Sequence, residues 1–271
     1  METGCRRAIL FLLFSPLFGT GFAQTETPVK VDKPLKSYSH WYFGAEYGVP
    51  FLFGDFTSFS ADKTYVGSQF GGFAGYQVNS WIGIEASART GYTRMGAKSY
   101  AGDYLMNADG MTYYTNQDFN TWKYKDVFSK VHFTNIGLQM NLNVNNFFGP
   151  NRGNRRWTVL LGPAVYAQHF STELINKADK SPLSGKKTDK WNIGIGGDVS
   201  LRYKISRAFD VQLRTGIIWV NNNKMDGIST LIKSKDHFMT SAGLSLIWKV
   251  GKKKEDNVLY ASRRAADVEI R

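Results

Sequence analysis

Eight charged residues occupy alternate positions inside segments of the sequence that are otherwise largely apolar. They are Glu46, Glu85, Arg89, Asp198, Arg202, Asp210, Arg214 and Lys249. If these segments are β-strands, each charge faces away from its apolar neighbours, because successive side chains point to opposite faces. Opposite charges enclosed together should form ion pairs, since an unpaired buried charge costs several kcal/mol. Nearby arginines would keep the carboxylates ionised, which disfavours acid–base catalysis by a carboxylate pair.

Residues 81–93, with the sequence WIGIEASARTGYT, show the alternation that must position these charges. Ile82 and Tyr92 fall on the apolar face, whereas Glu85 and Arg89 fall on the other. A soluble sandwich would turn the charged face to water, and an outer-membrane barrel would turn it to the lumen. This segment alone is compatible with both folds.

The same pattern recurs along the chain and predicts an all-β fold. The predicted strands are residues 40–51, 70–78, 81–93, 127–144, 157–168, 191–205, 209–220 and 238–250. Their connections alternate between short turns and long loops, and apolar stretches of about 9–11 residues suit a tilted membrane crossing. Tryptophans near the strand ends fit an aromatic girdle. The sequence therefore favours an antiparallel, up-and-down, eight-stranded transmembrane β-barrel at residues 40–250 over a soluble lipocalin-like barrel or sandwich.

Residues 1–24 have the features of a cleaved signal peptide. Arg6 and Arg7 precede an apolar run at residues 8–18, and residues 21–23 fit a cleavage site. The sequence therefore predicts export and, for a β-barrel, integration into the outer membrane of a Gram-negative cell.

Cysteine content and charge restrict the chemistry of the exported chain. Cys5, the only cysteine, lies in the leader, so no disulfide, cysteine ligand or cysteine nucleophile remains. The net charge of +12 is compatible with plain solubility or with an acidic partner such as lipopolysaccharide, and export argues against nucleic acid. Residues 25–39 are predicted to form a periplasmic linker. We expect no metal site and no cofactor, because His40, His169 and His237 have no metal-ligand spacing.

Four motifs carry a resemblance to a known group of proteins. They are Phe22-Ala23-Gln24 at the end of the leader, Trp81-Ile82-Gly83-Ile84-Glu85 leading into Gly91-Tyr92, Leu161-Gly162-Pro163, and Trp248 in the last strand. With this layout, the sequence resembles the small outer-membrane β-barrel proteins of Bacteroidota, within the superfamily of eight-stranded OmpA- and OmpX-like barrels. The resemblance covers about residues 41–250 and implies fold and location rather than activity. Members commonly end on the last strand, whereas this chain continues to Arg271.

The predicted lumen is compatible with two functions. The interior of an eight-stranded barrel is just wide enough for side chains to fill it. An ion-paired plug that keeps the barrel rigid and closed is therefore the favoured interpretation. The alternative is a narrow pore that the same ion pairs gate.

A lipid-modifying enzyme is a further alternative. Some eight-stranded outer-membrane barrels, the lipid A deacylases, use a histidine and a serine two residues apart on the lipid-facing side. His132-Phe133-Thr134 is superficially similar, but a threonine replaces the serine and the histidine has no evident acid partner. The sequence therefore predicts no catalytic residue and no enzyme activity.

The longest predicted loop and the end of the chain are candidate interaction segments. The loop at residues 94–126 is rich in aromatic residues, which suit binding: Tyr100, Tyr104, Tyr113, Tyr114, Phe119, Trp122 and Tyr124. The periplasmic tail at residues 251–271 offers a predicted docking segment: Val258, Leu259, Tyr260, Arg263 and Arg264. The leading hypothesis is a non-enzymatic envelope structural or interaction protein that contacts outer-membrane lipid and lipopolysaccharide. A subunit of a larger secretion or envelope assembly, docked to a periplasmic or outer-membrane protein through the tail or loops, is the second hypothesis.

Overall fold

The structure, a computed structural model, describes residues 38–98, 105–107, 122–148, 155–183, 188–220, 225–229, 237–252 and 256–261. The predicted signal peptide and the predicted linker, except the last residues of the linker, lie outside these ranges. Within the described ranges, no helix combines the length and the apolar character needed to cross a membrane.

Eight long antiparallel strands form one closed sheet. They are β1 (Trp41–Phe53), β2 (Ser68–Gln77), β3 (Ile82–Ala97), β4 (Val127–Asn143), β5 (Trp157–Asn176), β6 (Thr188–Lys204), β7 (Phe209–Val220) and β8 (His237–Lys249). Each strand pairs with the next in sequence, and β8 pairs with β1 to close the barrel. The predicted eight-stranded, up-and-down barrel is confirmed.

The other described elements are short. They are strands Tyr38–Ser39, Phe56–Thr57, Met106–Asn107, Ile228–Ser229 and Asp256–Asn257, helix α1 (Val144–Phe148), and 3₁₀ turns at Tyr124–Asp126 and Val258–Tyr260. We call the end of the barrel with the short β2–β3 and β6–β7 turns the turn rim. The opposite end, where the longer connections emerge, is the loop rim.

The outer surface of the barrel carries an apolar belt. Tyr47, Ile136, Val165, Ile193 and Leu244 are each more than half exposed, with values from 51% to 76%. Large apolar side chains exposed on strand after strand suit hydrocarbon and not water. The belt is bordered by exposed tryptophans, with Trp41, Trp81, Trp157 and Trp248 at its turn-rim edge and Trp191 and Trp219 at its loop-rim edge. The outer face is therefore built for a membrane, as the alternating pattern predicts.

Three strands extend by three or more residues beyond their predicted ends toward the loop rim. β3 continues to Ala97, β5 continues to Asn176, and β6 begins at Thr188. Past the belt the outward side chains become polar, as at Arg94 and Lys130. The apolar–polar alternation then disappears although the backbone ladder continues, so the sequence pattern underestimates these strands.

β4 contains no bulge between its two out-of-phase halves. Its ladder with β3 runs without interruption from Ile82↔Leu142 to Gly96↔Phe128. Val131 and Phe133 are at most 2% exposed and share the inward face with Asn135. The change of phase in the sequence therefore marks a change in the lumen, from polar near the turn rim to apolar near the loop rim.

Pro163 lies in the middle of β5, where proline weakened the strand prediction. The β4–β5 ladder contains the pairs Gln139↔Ala164 and Leu142↔Leu161, but Met140 and Asn141 have no partner in it. Proline has no N–H to donate, which accounts for the missing rung. The strand continues through Pro163 because the opposite edge of β5 remains paired with β6 at this position.

The loop-rim half of the lumen is filled by an apolar cluster, the upper core. Its members are Leu52, Phe56, Met95, Ala97, Leu105, Tyr124, Val127, Val131, Phe133, Ala164, Tyr166, Phe170, Leu174, Ile218, Val220, Met225, Ile228 and Met239. Leu105, Met225 and Ile228 come from loops, and the short strands Met106–Asn107 and Ile228–Ser229 pair with each other. Loop segments therefore fold into the end of the barrel and close it.

Candidate functional site

Arg214 on β7 organises the centre of the lumen. Its Nη2 lies 2.7 Å from Glu85 Oε1, its Nη1 lies 3.5 Å from Glu46 Oε2, and its Nε lies 3.6 Å from Asp198 Oδ2. All four side chains are at most 4% exposed. A guanidinium has five N–H groups in a fixed fork, so it can serve several carboxylates at once. The structure thus brings four predicted lumen residues from four different strands into one cluster.

Arg89 supplies the second cation of this cluster. Its Nε lies 3.1 Å from Glu46 Oε1. Ser245 on the neighbouring strand β8 donates a hydrogen bond of 3.3 Å to the other oxygen of Glu46. Glu46 therefore bridges Arg89 and Arg214, and the ion pairs link opposite sides of the barrel wall.

Neutral inward side chains complete the network and were not singled out from the sequence. Tyr42 Oη donates to Glu85 Oε2 over 3.0 Å, and Asn141 Nδ2 donates to the same oxygen over 3.2 Å. Gln139 Nε2 donates to Asp198 Oδ1 over 3.0 Å. These residues occupy the alternate positions that face inward, so the strand phase was a signal that could have identified them.

Arg202 departs from the predicted ion pairing. Its Nε donates to Gln212 Oε1 over 2.8 Å, and its guanidinium lies 4.8 Å from the centre of the Tyr42 ring. Within the described ranges it forms no ion pair with a carboxylate. A neutral amide and an aromatic face hold this cation, so the expectation that every lumen charge is directly paired is wrong at Arg202.

Asp210 and Lys249 form a separate ion pair near the turn rim. Lys249 Nζ also donates to the Ser206 carbonyl over 2.9 Å, and Tyr260 Oη donates to Asp210 Oδ2 over 2.7 Å. Burial and then the Asp210 carboxylate raise the pKa of Tyr260 well above its usual value. Tyr260 therefore stays protonated and remains a donor to Asp210.

The segment at residues 256–261, here called the tail plug, closes the turn rim. Val258, Leu259 and Tyr260 are 2%, 2% and 6% exposed, and Leu259 and Tyr260 pack against Leu160 on the inner wall. Lys204 Nζ forms an ion pair of 2.7 Å with Asp256 at the start of the plug. The plug also pairs in parallel with Tyr38–Ser39.

The tail plug corrects the prediction of a docking segment. Val258, Leu259 and Tyr260 contact this chain's own barrel and are buried, so they do not offer a surface to a partner. Burial of these three apolar side chains inside the barrel removes their surface from water, which stabilises the folded state. Arg263 and Arg264 lie outside the described residues.

The predicted aromatic binding surface also requires a correction. Tyr124 is 3% exposed and belongs to the upper core, with its ring edge-on to Phe56 at 5.9 Å. Trp122 is partly buried and packs against the same cluster. These two side chains serve as core and not as exposed contacts. The other predicted members, Tyr100, Tyr104, Tyr113, Tyr114 and Phe119, lie outside the described residues.

Asp55, Asp226 and His237 meet at the loop rim, a grouping that the sequence did not reveal. Their ligand atoms lie within 4.8 Å of one another, and all three residues are buried. Asp226 Oδ2 accepts a hydrogen bond of 3.0 Å from the Phe56 N–H. Met225 N–H donates to His237 Nδ1 over 3.2 Å, so in a neutral ring Nε2 carries the proton and faces Asp226 Oδ2 at 3.4 Å. A protonated Nε2 does not ligate a metal, so the cluster fits a hydrogen-bonded latch that holds the loops.

The histidines on the outer surface near the loop rim show a partial catalytic grouping. His169 Nε2 lies 2.5 Å from Asp189 Oδ1, and Ser171 is the Cα partner of both Asp189 and His132. Within the described residues, Ser171 Oγ forms no hydrogen bond with either histidine. His132 is paired with Tyr92 at a ring distance of 6.1 Å. Among the described residues, Ser171 and the two histidines therefore do not form the nucleophile–base contact that a triad requires.

No family model and no curated protein matches this chain. Solved structures do match. The Neisserial surface protein A is 13% identical, with 78% of this chain and 97% of that chain covered and a TM-score of 0.44. Ail, the attachment invasion locus protein of Yersinia pestis, is 11% identical, with 79% and 100% covered and a TM-score of 0.41. A major outer membrane protein from Thermus thermophilus is 12% identical, with 78% and 99% covered and a TM-score of 0.43.

Proposed function

We propose that this chain is a non-enzymatic barrel of the Gram-negative outer membrane, an envelope structural and interaction protein that anchors its loops at the cell surface. The observation that carries the proposal is the filled lumen. The tail plug, the Arg214 cluster and the upper core succeed one another from the turn rim to the loop rim. A barrel filled in this way serves as an anchor, and its loop rim and outer surface remain for contacts with lipid, lipopolysaccharide or protein.

Orientation and location can be tested with single cysteines. Asp179 at the loop rim and Arg207 in the β6–β7 turn are both exposed. In a Cys5→Ser background, which has no other cysteine, we expect a membrane-impermeant maleimide to label Asp179→Cys on intact cells. Arg207→Cys should react only after the outer membrane is disrupted. Equal labelling of both variants on intact cells, or the reverse pattern, would contradict the proposal.

Conductance tests the filled lumen. Purified barrel inserted into planar bilayers should show no stepwise current, because side chains occupy the path at both rims and at the centre. Reproducible single-channel steps from the intact protein would refute the anchor and support the pore alternative.

Enzyme activity can be tested on the natural lipid. Ser171 lies beside His132 and Asp189 but is not hydrogen-bonded to a histidine, so we expect the mass of lipid A to remain unchanged after incubation with the protein. Loss of an acyl chain would contradict the non-enzymatic proposal if the loss disappears in Ser171→Ala. The matched variant Ser200→Ala removes a hydroxyl from the buried inner face and controls for altered folding.

A further inference from the structure

Three cations converge on two stacked rings outside the barrel, beyond the apolar belt. Tyr65, from the β1–β2 loop, stacks on Phe128 of β4 with ring centres 5.9 Å apart. Lys63 Nζ lies 4.9 Å from the Tyr65 ring centre. The Arg94 guanidinium and Lys180 Nζ lie 5.9 Å and 5.6 Å from the Phe128 ring centre. We call these five side chains the cation cluster.

The sequence leaves room for this stack at one glycine. Gly96 on β3 is the Cα partner of Phe128, and a Cβ on Gly96 would come within 2.9 Å of Tyr65 Cε2. The missing side chain lets the Tyr65 ring lie against the outer wall beside Phe128. The cations are therefore gathered by a packed feature of the fold and not only by exposed loops.

Among the described residues the three cations of the cation cluster have no direct ion-pair partner, although Asp62 acts electrostatically on Tyr65 and Lys180 Nζ donates to the Lys177 carbonyl over 2.7 Å. Asp62, next to Lys63 in sequence, accepts hydrogen bonds from Lys177 at 2.9 Å and from Ser60. In the part of the chain that the structure describes, no carboxylate lies within ion-pair distance of Lys63, Arg94 or Lys180. Cation–π contacts contribute only about 0.5–1 kcal/mol at exposed sites. A nearby anion would offset the repulsion among the three cations.

Tyr65 gives an independent indication of an anion. Its side chain is 5% exposed, and its buried Oη has no hydrogen-bond partner among the described residues. Burial and then Asp62 raise the pKa of Tyr65 to about 12, so the hydroxyl is a donor at neutral pH. A buried donor without an acceptor costs about 1–3 kcal/mol. The oxygen is enclosed by its neighbours, so an anion oxygen satisfies it only after the Tyr65 ring shifts outward.

The position of the cation cluster along the barrel indicates which anion it binds. On the outer face of β4 the last apolar belt residue is Ile136, and Thr134, His132, Lys130 and Phe128 follow it toward the loop rim. At about 3.3 Å per residue, Phe128 lies roughly 26 Å along the strand beyond Ile136, which is about 20 Å along the membrane normal for a strand tilted by about 40°. The cation cluster therefore lies outside the hydrocarbon on the loop-rim side, at the level of the polar part of lipopolysaccharide. We propose that the cation cluster binds the phosphate groups of outer-leaflet lipopolysaccharide. This assignment rests on the proposed outer-membrane location and names the partner of that surface.

Binding can be measured with defined lipid. The folded barrel in phosphatidylcholine nanodiscs would be titrated with bisphosphorylated lipid A, and bound lipid A counted by native mass spectrometry. We expect at least tenfold weaker binding in Arg94→Gln/Lys180→Gln and severalfold weaker binding in Tyr65→Phe, which keeps the ring and removes the donor. Arg207→Gln, which removes a positive charge at the turn rim, should bind like the wild type.

Three results would overturn the assignment. One is equal binding of lipid A without phosphates, and another is unchanged binding in the Arg94/Lys180 variant. The third is complete displacement of lipid A by millimolar inorganic phosphate, which would identify a free-phosphate site. Heat-modifiable migration on gels confirms folding of each variant. Cysteine labelling of whole cells tests location separately, so the failure of one proposal can be told from the failure of the other.

Discussion

The hydroxyl of Tyr260 and the Oδ2 atom of Asp210 are joined by a hydrogen bond of 2.7 Å, although 50 residues separate them in sequence. This contact ties the tail plug to the inner face of β7. It also gives Asp210 a neutral donor in addition to the charged donor Lys249. The turn rim is therefore closed by a hydrogen-bonded polar group and not only by apolar packing.

Tyr260→Phe should destabilise the barrel by about 1–3 kcal/mol, because a buried carboxylate loses a donor while the ring remains in place. Denaturant unfolding in lipid vesicles would measure the change. Tyr92→Phe is the matched control, since Tyr92 is 42% exposed on the outer face. Equal effects of the two substitutions would show that the hydroxyl of Tyr260 contributes nothing specific.

Alkaline pH should weaken the wild type more than Tyr260→Phe. Tyrosine in an unfolded chain ionises near pH 10, whereas burial and Asp210 raise the pKa of Tyr260 in the folded barrel. Above pH 10 the folded state therefore binds more protons than the unfolded state, so stability falls as the pH rises. Below pH 10 the contribution of Tyr260 is fully present. Parallel stability curves for the two proteins between pH 9 and pH 11 would contradict this linkage.

Arg214→Met should cost about 3–5 kcal/mol, because Glu46, Glu85 and Asp198 lose their shared cation in a buried site. The double variant Arg214→Met/Glu85→Gln should recover part of this loss, since it removes one of the uncompensated charges. Equilibrium unfolding of both variants measures the difference. Arg156→Met, at an exposed position on the turn rim, should change stability by less than about 0.5 kcal/mol.

Phe133→Ala should destabilise the barrel by about 3–5 kcal/mol, because Phe133 is 2% exposed in the upper core and its removal leaves a cavity. Ile136→Ala, three residues away on the lipid-facing side of β4 and 51% exposed, should cost less. The order of the two losses in one unfolding assay tests whether the lumen near the loop rim is packed as a core. A larger loss for Ile136→Ala would show that the lipid-facing side chain contributes more to stability than the side chain in the upper core.

Asp226→Ala should loosen the loops at the loop rim without opening the barrel. The Phe56 and Ile228 N–H groups lose their acceptor at Asp226, so their amide exchange should accelerate at least tenfold. Amides in the middle of β3, such as Ser87, should exchange as in the wild type. Addition of a chelator to the wild type should change the exchange rate of neither group of amides, because His237 Nδ1 accepts the Met225 N–H bond and the neutral ring then carries its proton on Nε2.

The barrel could be predicted from the sequence because the pattern that specifies each strand lies within that strand. Apolar and polar residues alternate with a period of two, so the face of each residue can be read along the chain. Glu85, Arg89 and Arg214 could therefore be assigned to the inner face without knowledge of their neighbours in space. Which carboxylate each arginine contacts could not be predicted. The height of each residue along the barrel axis depends on the register between neighbouring strands, and the sequence does not show this register. Arg202, held by Gln212 and Tyr42, illustrates this limit.

The ends and loops escaped prediction for a different reason. The charged tail contains one short apolar group, Val258, Leu259 and Tyr260. Three residues are too few to show a periodic pattern, so the sequence does not indicate which surface they pack against. Tyr124 and His237 become buried only because loop segments fold back into the barrel. Contacts of this kind depend on the closed tertiary fold, and a single sequence contains no local pattern for them.

The tail plug imposes an order on assembly. Leu160, Asp210 and Lys249 stand on three different strands, and they enclose the plug only after β8 has paired with β1. The tail plug, which follows β8 in the chain, therefore cannot pack in place until β8 and β1 have paired. A barrel stalled with an open seam would leave Tyr260 in water, within reach of a protease. Protection of this one residue thus reports that the barrel has finished folding.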